Sequence, residues 1–481
     1  MKKTPARKPK WISSLRLHRL GLVGLLGLAL GIGIATLRWW LPIEPHSLGV
    51  DWRVFYSAAT IIRHGGSPYS SLLMHTSEQT AWFYPGSQSP FDLYYYLPIV
   101  GLLLVPLTFI PFWASFVVWT CLGISAAGWA LWAWLRDSGW QRPGVWVLGG
   151  LSLFLAIRGY AAGQLDAIML AGTIGGLIAM RRNQPWWAGI AMFVVLLKPD
   201  LLWPLPLLLF AGWSFDWKQA WKFALTGGIT LIVLTVLGFL FVPGSGGFFS
   251  SFVSLESMVG NIESEMAGLP LLFAKMSSGH LIGDGIAAFG CLAVFGLAAL
   301  SFKRFKLSGW TDRERALIPS TGLAIWLVCT TYVHPNDQIL VLPLLALLLG
   351  YGGRLVDGRW ITGAVLLCAG VLLTYSVEPL LAFGALLGMV ILEVLYRKRL
   401  PEEAWVAQIL VATVIFPVNN TFTPVAVAGV ALGGIYCLWV KARLEGDSPQ
   451  RGLNNDVGSV ISSQLARELS SSFIHQQTML P

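Results

Sequence analysis

The chain has 481 residues, of which 55% are hydrophobic and only 12% charged, and it carries a formal net charge of +9. A soluble domain has about 25% charged residues, so the composition excludes an ordinary soluble globular protein. The apolar runs are continuous rather than alternating, which excludes a transmembrane β-barrel. The basic residues sit in short connectors between those runs, so the charge is a topology signal and implies no nucleic-acid partner. The expected fold class is an all-α, polytopic helical membrane protein. Five cysteines (Cys121, Cys291, Cys329, Cys368, Cys437) fall in or beside apolar runs. Their spacing suits neither a metal site nor a disulfide framework.

Residues 1–19 hold Lys2, Lys3, Arg7, Lys8, Lys10, Arg16 and Arg19 without an acid and are expected to be cytoplasmic. The apolar run 20–41 is long for a signal-peptide core. It ends Arg38-Trp39-Trp40-Leu41-Pro42, without the small residues of a cleavage site. It therefore reads as an uncleaved first span, followed by a large first outer loop over 42–93. Within the loop, Phe55, Ala58, Ala59 and Ile62 recur at helical spacing. They predict a short amphipathic helix over 52–63 lying on the membrane surface, ended by Gly65-Gly66-Ser67-Pro68. Trp82, Phe83, Tyr84 and Tyr94-Tyr95-Tyr96 fit an interfacial aromatic belt.

The run 94–111 is apolar but broken by Pro98, Pro106 and Pro111. Treated as re-entrant or interfacial, it leaves about fourteen spans and keeps the basic connectors on one side. Treated as a span, it inverts the charge rule downstream. The full range considered is about 12–15 transmembrane helices. The remaining spans fall near 112–135, 145–157, 164–180, 185–197, 201–213, 222–242, 284–302, 316–333, 338–351, 360–374, 379–396, 404–416 and 423–440. Inner connectors then hold Arg181-Arg182, Lys303-Arg304, Arg397-Lys398-Arg399 and Lys441 with Arg443. The membrane domain is expected over 20–440. A polar, disordered cytoplasmic tail is expected over 444–481.

The other connectors carry the groups that could do chemistry. Asp51 closely follows the first span. An ionised carboxylate there suits a general base acting on an acceptor hydroxyl, and the same position suits a helix N-cap. Arg53 and Arg63 could meet lipid phosphate or head groups. Arg158, Gln164 and Asp166 stand together at one mouth, where ionisable groups are functional candidates or a solvated loop. Lys198 interrupts an apolar stretch before Pro199. It suits a phosphate as a compact charge, or snorkels at a helix end. His334 and Asp337 follow the run 316–333, where His334 could bond a phosphate oxygen or mark a structural His-Pro turn. In the fourteen-span topology Asp51, Arg158, Asp166, Lys198 and His334 share the outer face. Together they supply a base for an acceptor and a cation and donor set for a departing phosphate. No phosphate-loop or dinucleotide fingerprint occurs, so no nucleotide donor is indicated.

At these residues the sequence resembles membrane glycosyltransferases of the GT-C fold, and most of all glycosyltransferase family 87. The resemblance rests on Asp51-Trp52-Arg53-Val54-Phe55-Tyr56-Ser57-Ala58-Ala59, Gly65-Gly66-Ser67-Pro68-Tyr69, Tyr96-Leu97-Pro98, Pro106-Leu107, Gly163-Gln164-Leu165-Asp166, Lys198-Pro199 and His334-Pro335, over about 20–350. It departs from the family pattern in having one proline rather than two after Tyr96, and Asp166 where Asn is common. The resemblance implies inverting transfer of a hexose, mannose foremost, from a polyprenyl-phosphate sugar to a lipid or glycan acceptor. It also implies Asp51 as the catalytic acid after the first span, with Lys198 and His334 near the lipid phosphate. No cofactor or bound metal is expected. The expected location is the plasma membrane, with both termini cytoplasmic. A lipid-linked sugar flippase or transporter is the rival reading, though it would favour repeated halves and charges at span centres. A non-catalytic membrane assembly protein is the third.

Overall fold

The computed structural model describes residues 48–81, 93–138, 159–213, 216–262, 268–270, 281–303, 315–331 and 333–348, with isolated positions between 140 and 151 and between 428 and 439. Every regular element among them is helical. In chain order they are α1 (Val50–Arg63), α2 (Ser71–Ala81), α3 (Pro98–Leu104), α4 (Phe112–Asp137), α5 (Asp166–Arg181), α6 (Pro185–Ile190), α7 (Pro199–Leu202), α8 (Pro204–Gly212), α9 (Trp217–Phe241), α10 (Gly247–Ile262), α11 (Leu281–Lys303), α12 (Leu317–Cys329) and α13 (Leu342–Leu347). Three 3-10 helices, Val105–Phe109, Ala191–Leu196 and Pro335–Val341, interleave with them.

Among the described residues, three stretches are long and apolar enough to cross a bilayer: Phe112–Asp137, Trp217–Phe241 and Ile282–Ser301, of 26, 25 and 20 residues. At about 1.5 Å per residue each reaches about 30 Å, the hydrocarbon thickness. Large apolar side chains along α9 (Ile229, Ile232, Val236, Leu240) and α4 (Val117, Leu122, Trp129) are exposed, as lipid-facing surfaces would be. The molecule is an all-α polytopic membrane protein, as its composition predicts.

The other apolar runs are interrupted, and proline is the cause. Pro98, Pro185, Pro199 and Pro204 each open a helix in its first turn. There the missing N–H costs nothing, and a preceding helix cannot run through. The runs 185–197 and 201–213 are therefore two segments and one short helix rather than continuous spans. Protein covers the break that follows Lys198, where Leu201, Leu202 and Leu205 are fully buried. α3 with the following 3-10 helix extends only about 20 Å, too short to cross unaided.

Helices pair through small residues that let backbones approach. α4 packs on α5 with Gly123 facing Ala167. α6 packs on α9, where a Cβ at Gly189 would fall 2.7 Å from the backbone nitrogen of Gly227. α12 packs on α11 and α8, and α5 also meets the Pro335–Val341 helix.

Three sequence expectations change. The helix of the first loop starts at Val50 and is enclosed rather than laid on a surface. α2, α3 and the Val105–Phe109 helix pack around it, burying Trp52, Phe55, Ala58 and Ala59 completely and also Arg53 and Ser57. Arg53 does not face lipid: its Nε lies 3.1 Å from Glu78 Oε2 in a buried ion pair that ties α1 to α2. Tyr94 and Tyr96 are core residues rather than a belt, with Tyr96 packed on Phe55 at a 4.7 Å ring separation. Trp82, Phe83 and Tyr84, the first span, the 444–481 tail and most residues beyond 350 lie outside the described residues.

Candidate active site

The site begins where α1 begins. Gly49, at φ +70°, is its N-cap, and no side chain caps the helix. The N-cap role considered for Asp51 is thus filled by glycine, and Asp51 stands in the first turn. Backbone N–H groups there favour negative charge. The Gly49 N–H donates to the Ala161 carbonyl at 2.7 Å, which lays the start of α1 against the turn 159–165.

That turn needs glycine. Gly163 sits at φ +81°, and a Cβ on it would fall 2.5 Å from Trp52 Cβ, so a side chain there is both strained and blocked. Two tryptophans hold the arrangement. The Trp52 indole donates to Ser115 Oγ at 3.0 Å and stacks on Trp119 with centroids 5.2 Å apart, and the Trp119 indole donates to the Gly163 carbonyl at 3.2 Å. The outcome is a direct contact between two residues named from sequence. Gln164 Nε2 donates to Asp51 Oδ2 at 2.7 Å, and both side chains are half-buried.

Two residues on, α5 opens with Asp166, part of a buried cluster. Lys198 Nζ lies 2.6 Å from Asp337 Oδ1 and 3.9 Å from Asp166 Oδ1. Asn336 Nδ2 donates to Asp166 Oδ2 at 2.6 Å, and the His334 backbone N–H donates to Asp337 Oδ2 at 2.9 Å. Asp166, Lys198, Asn336 and Asp337 are all buried. Lys198 occupies the extended pre-proline position at φ −143°, which proline imposes on its predecessor. The side chain therefore turns into the protein instead of continuing a helical face, and it does not snorkel. A Cβ on Gly159 would fall 2.5 Å from Asp166 Oδ2, so glycine makes room for that carboxylate too.

At the edge of the cluster stands half-buried Asp200, in the connector between the runs 185–197 and 201–213. Burial pushes its carboxyl up to about 6, the nearby Lys198 ammonium opposes the rise, and Asp337 adds to it.

The structure thus brings Asp51 to Gln164, and Asp166 to Lys198, beside His334. Arg158 lies outside the described residues. Arg63 turns away from these groups, donating to the Thr108 carbonyl and covering the Phe109 ring. Sequence reasoning noted Asp337 only as His334's neighbour and gave Asn336 no role. The rule that an ionisable group at the edge of an apolar run is a functional candidate was the signal for Asp337. Nothing in sequence marks Asn336 as the partner of an acid 170 positions away. Among the described residues, no three His, Cys, Asp or Glu side chains converge as a metal site would need.

Interrupted helices between membrane-crossing ones, with acids, an amide and a lysine gathered at the breaks, suit a membrane enzyme acting on a substrate presented by the bilayer. Residues 94–331 match the model of glycosyltransferase family 87, the family that the motifs resemble. Over that stretch the chain is similar to glycosyltransferase family 87, and the match supports a membrane glycosyltransferase. The match includes Gln164, Asp166 and Lys198, while Asp51 precedes it and His334 to Asp337 follow it. No curated protein and no solved structure matches the chain.

Proposed function

We propose that the protein is a GT-C glycosyltransferase of the plasma membrane that transfers a hexose, mannose foremost, from a polyprenyl-phosphate to a hydroxyl of a lipid or glycan acceptor. The observation that carries this reading is Asp51, a half-buried carboxylate held by Gln164 beside the buried lysine cluster. Asp51 takes the acceptor hydroxyl proton as that oxygen attacks the anomeric carbon. The bond from the anomeric carbon to the phosphate oxygen breaks, and the phosphate leaves with the electron pair. A single displacement inverts the anomeric centre, through a transition state of oxocarbenium character.

The ion pairs refine the roles expected of the cations. Lys198 serves two carboxylates, so its charge is largely compensated within the protein. In this reading Lys198 keeps Asp166 and Asp337 from repelling the phosphate, and Arg158 and the His334 side chain meet the phosphate itself. The basic connectors support a topology with both termini in the cytoplasm, which puts Asp51 on the outer face.

The test is transfer in proteoliposomes containing a native lipid extract as acceptor source. Radiolabelled polyprenyl-phosphate mannose and GDP-mannose are supplied separately. Label should pass to acceptor from the lipid donor and not from the nucleotide. Transfer from GDP-mannose alone would overturn the donor class.

A further inference from the structure

We infer that Gln164 is a positioning residue for Asp51, and that the buried cluster of Asp166, Lys198, Asn336 and Asp337 sets where Gln164 stands. This rests on the reading of Asp51 as the general base.

A carboxamide N–H on a carboxylate at 2.7 Å fixes the orientation of the acid and favours its ionised form, because the donor binds the charged oxygen better than the neutral one. The opposite amide orientation would set two oxygens face to face, so the chemistry itself assigns Nε2 to Asp51. A base must be ionised and correctly aimed before it can take a proton, and this one contact serves both needs.

The Gln164 backbone has little freedom. Its N–H donates to the Gly159 carbonyl at 2.9 Å, closing the turn. Gly163 before it is pinned between Trp52 and Trp119. Asp166 after it is gripped by Asn336 and Lys198, and Lys198 by Asp337. The turn is thus fixed on one side to α1 and α4 and on the other to the Pro335–Val341 helix. Two functions that sequence left separate, an acid after the first span and a His-Pro-Asn-Asp turn far downstream, are joined through Gln164. One N–H of Gln164 Nε2 is committed to Asp51, and a role as a ligand of sugar or phosphate would have to use the second N–H or Oε1, which the kinetics below separate from positioning.

The test is steady-state transfer from radiolabelled polyprenyl-phosphate mannose by reconstituted wild type, Gln164→Leu, Gln164→Glu, Asn336→Leu and Asp51→Asn, each checked by elution and melting. In Gln164→Leu, kcat should fall by about 100-fold, the loss that a small misplacement of a reacting group produces. The KM for the donor should stay within about threefold. The acidic limb of the kcat–pH profile should move to higher pH, because the ionised form has lost its donor. Gln164→Glu, nearly the same in shape, puts a second carboxylate on Asp51 and should move that limb further in the same direction. Asn336→Leu should show a smaller loss, also in kcat.

A raised donor KM in Gln164→Leu with kcat and pH profile unchanged would make Gln164 a substrate ligand and overturn the inference. So would wild-type kinetics in that variant. If Gln164→Leu fails to fold, the pH profile of Gln164→Glu decides by the same criterion. Full transfer by Asp51→Asn, or no transfer by wild type from polyprenyl-phosphate mannose or glucose, would remove the underlying reading instead. Loss in Asp51→Asn with wild-type behaviour in both Gln164 variants would refute the positioning role alone.

Discussion

Lys198 Nζ and Asp337 Oδ1 stand 2.6 Å apart, a buried contact that closes 139 positions of sequence. It joins the proline-induced break before α7 to the helix Pro335–Val341, and Asp166 completes it from the start of α5 at 3.9 Å. Breaking a buried pair by deleting one partner leaves a charge that the interior cannot solvate, at about 3–5 kcal/mol. Asp337→Ala should therefore lower the melting temperature in detergent by several degrees. The triple variant Lys198→Met, Asp337→Leu and Asp166→Asn should regain much of the loss, since neutral replacement of a whole buried charged set is often tolerated. Melting of Asp337→Ala at the wild-type temperature would show that the pair is not holding these elements together.

Asp200 supplies a pH dependence with a definite sign. Its carboxyl is raised from 3.8 to about 6, chiefly by burial, so the folded protein binds that proton more tightly than the unfolded chain. The stability it contributes is present at the acid end of this window and is lost as pH rises through about 4 to 6. Asp200→Asn removes the ionisation. Melting at about pH 7.5 should rise above wild type, and melting at about pH 4 should match it. Equal curves at both pH values would contradict the burial-driven shift.

Much of the fold was legible because lipid demands long apolar runs and those runs are plain in the sequence. The stretches 112–135, 222–242 and 284–302 reappear within a few residues as candidate spans. The runs 185–197 and 201–213 were read as spans because hydropathy does not register where proline restarts a helix. The enclosure of α1 was hidden for a different reason. Its apolar spacing suits a membrane surface as well as a protein groove, and only α2, carrying Glu78 to Arg53, decides between them. In the site, single residues were legible by type and by their place beside apolar runs. The pairing of Gln164 with Asp51, and of Asn336 with Asp166, depends on contacts across 113 and 170 positions that no local pattern encodes.

Gly163 tests the geometry of the turn directly. Its φ of +81° and the 2.5 Å approach to Trp52 Cβ leave no room for a methyl group. Gly163→Ala should cost at least about 1–2 kcal/mol from backbone strain and displacement of Trp52. Its melting temperature should fall clearly below that of Gly175→Ala, since a Cβ at Gly175 meets nothing within 4 Å. Equal melting of the two variants would mean that the turn has slack which the contacts do not show.

The most direct measurement is sugar transfer from radiolabelled polyprenyl-phosphate mannose in proteoliposomes, comparing wild type with Asp51→Asn. The substitution keeps the shape of the side chain and removes its capacity to take a proton. Asp51→Asn should elute and melt as wild type does, while its transfer rate falls by about 100-fold to 10,000-fold, the contribution of a positioned general base. Transfer at the wild-type rate by a well-folded Asp51→Asn protein would contradict the assignment and move the search for the base to another residue.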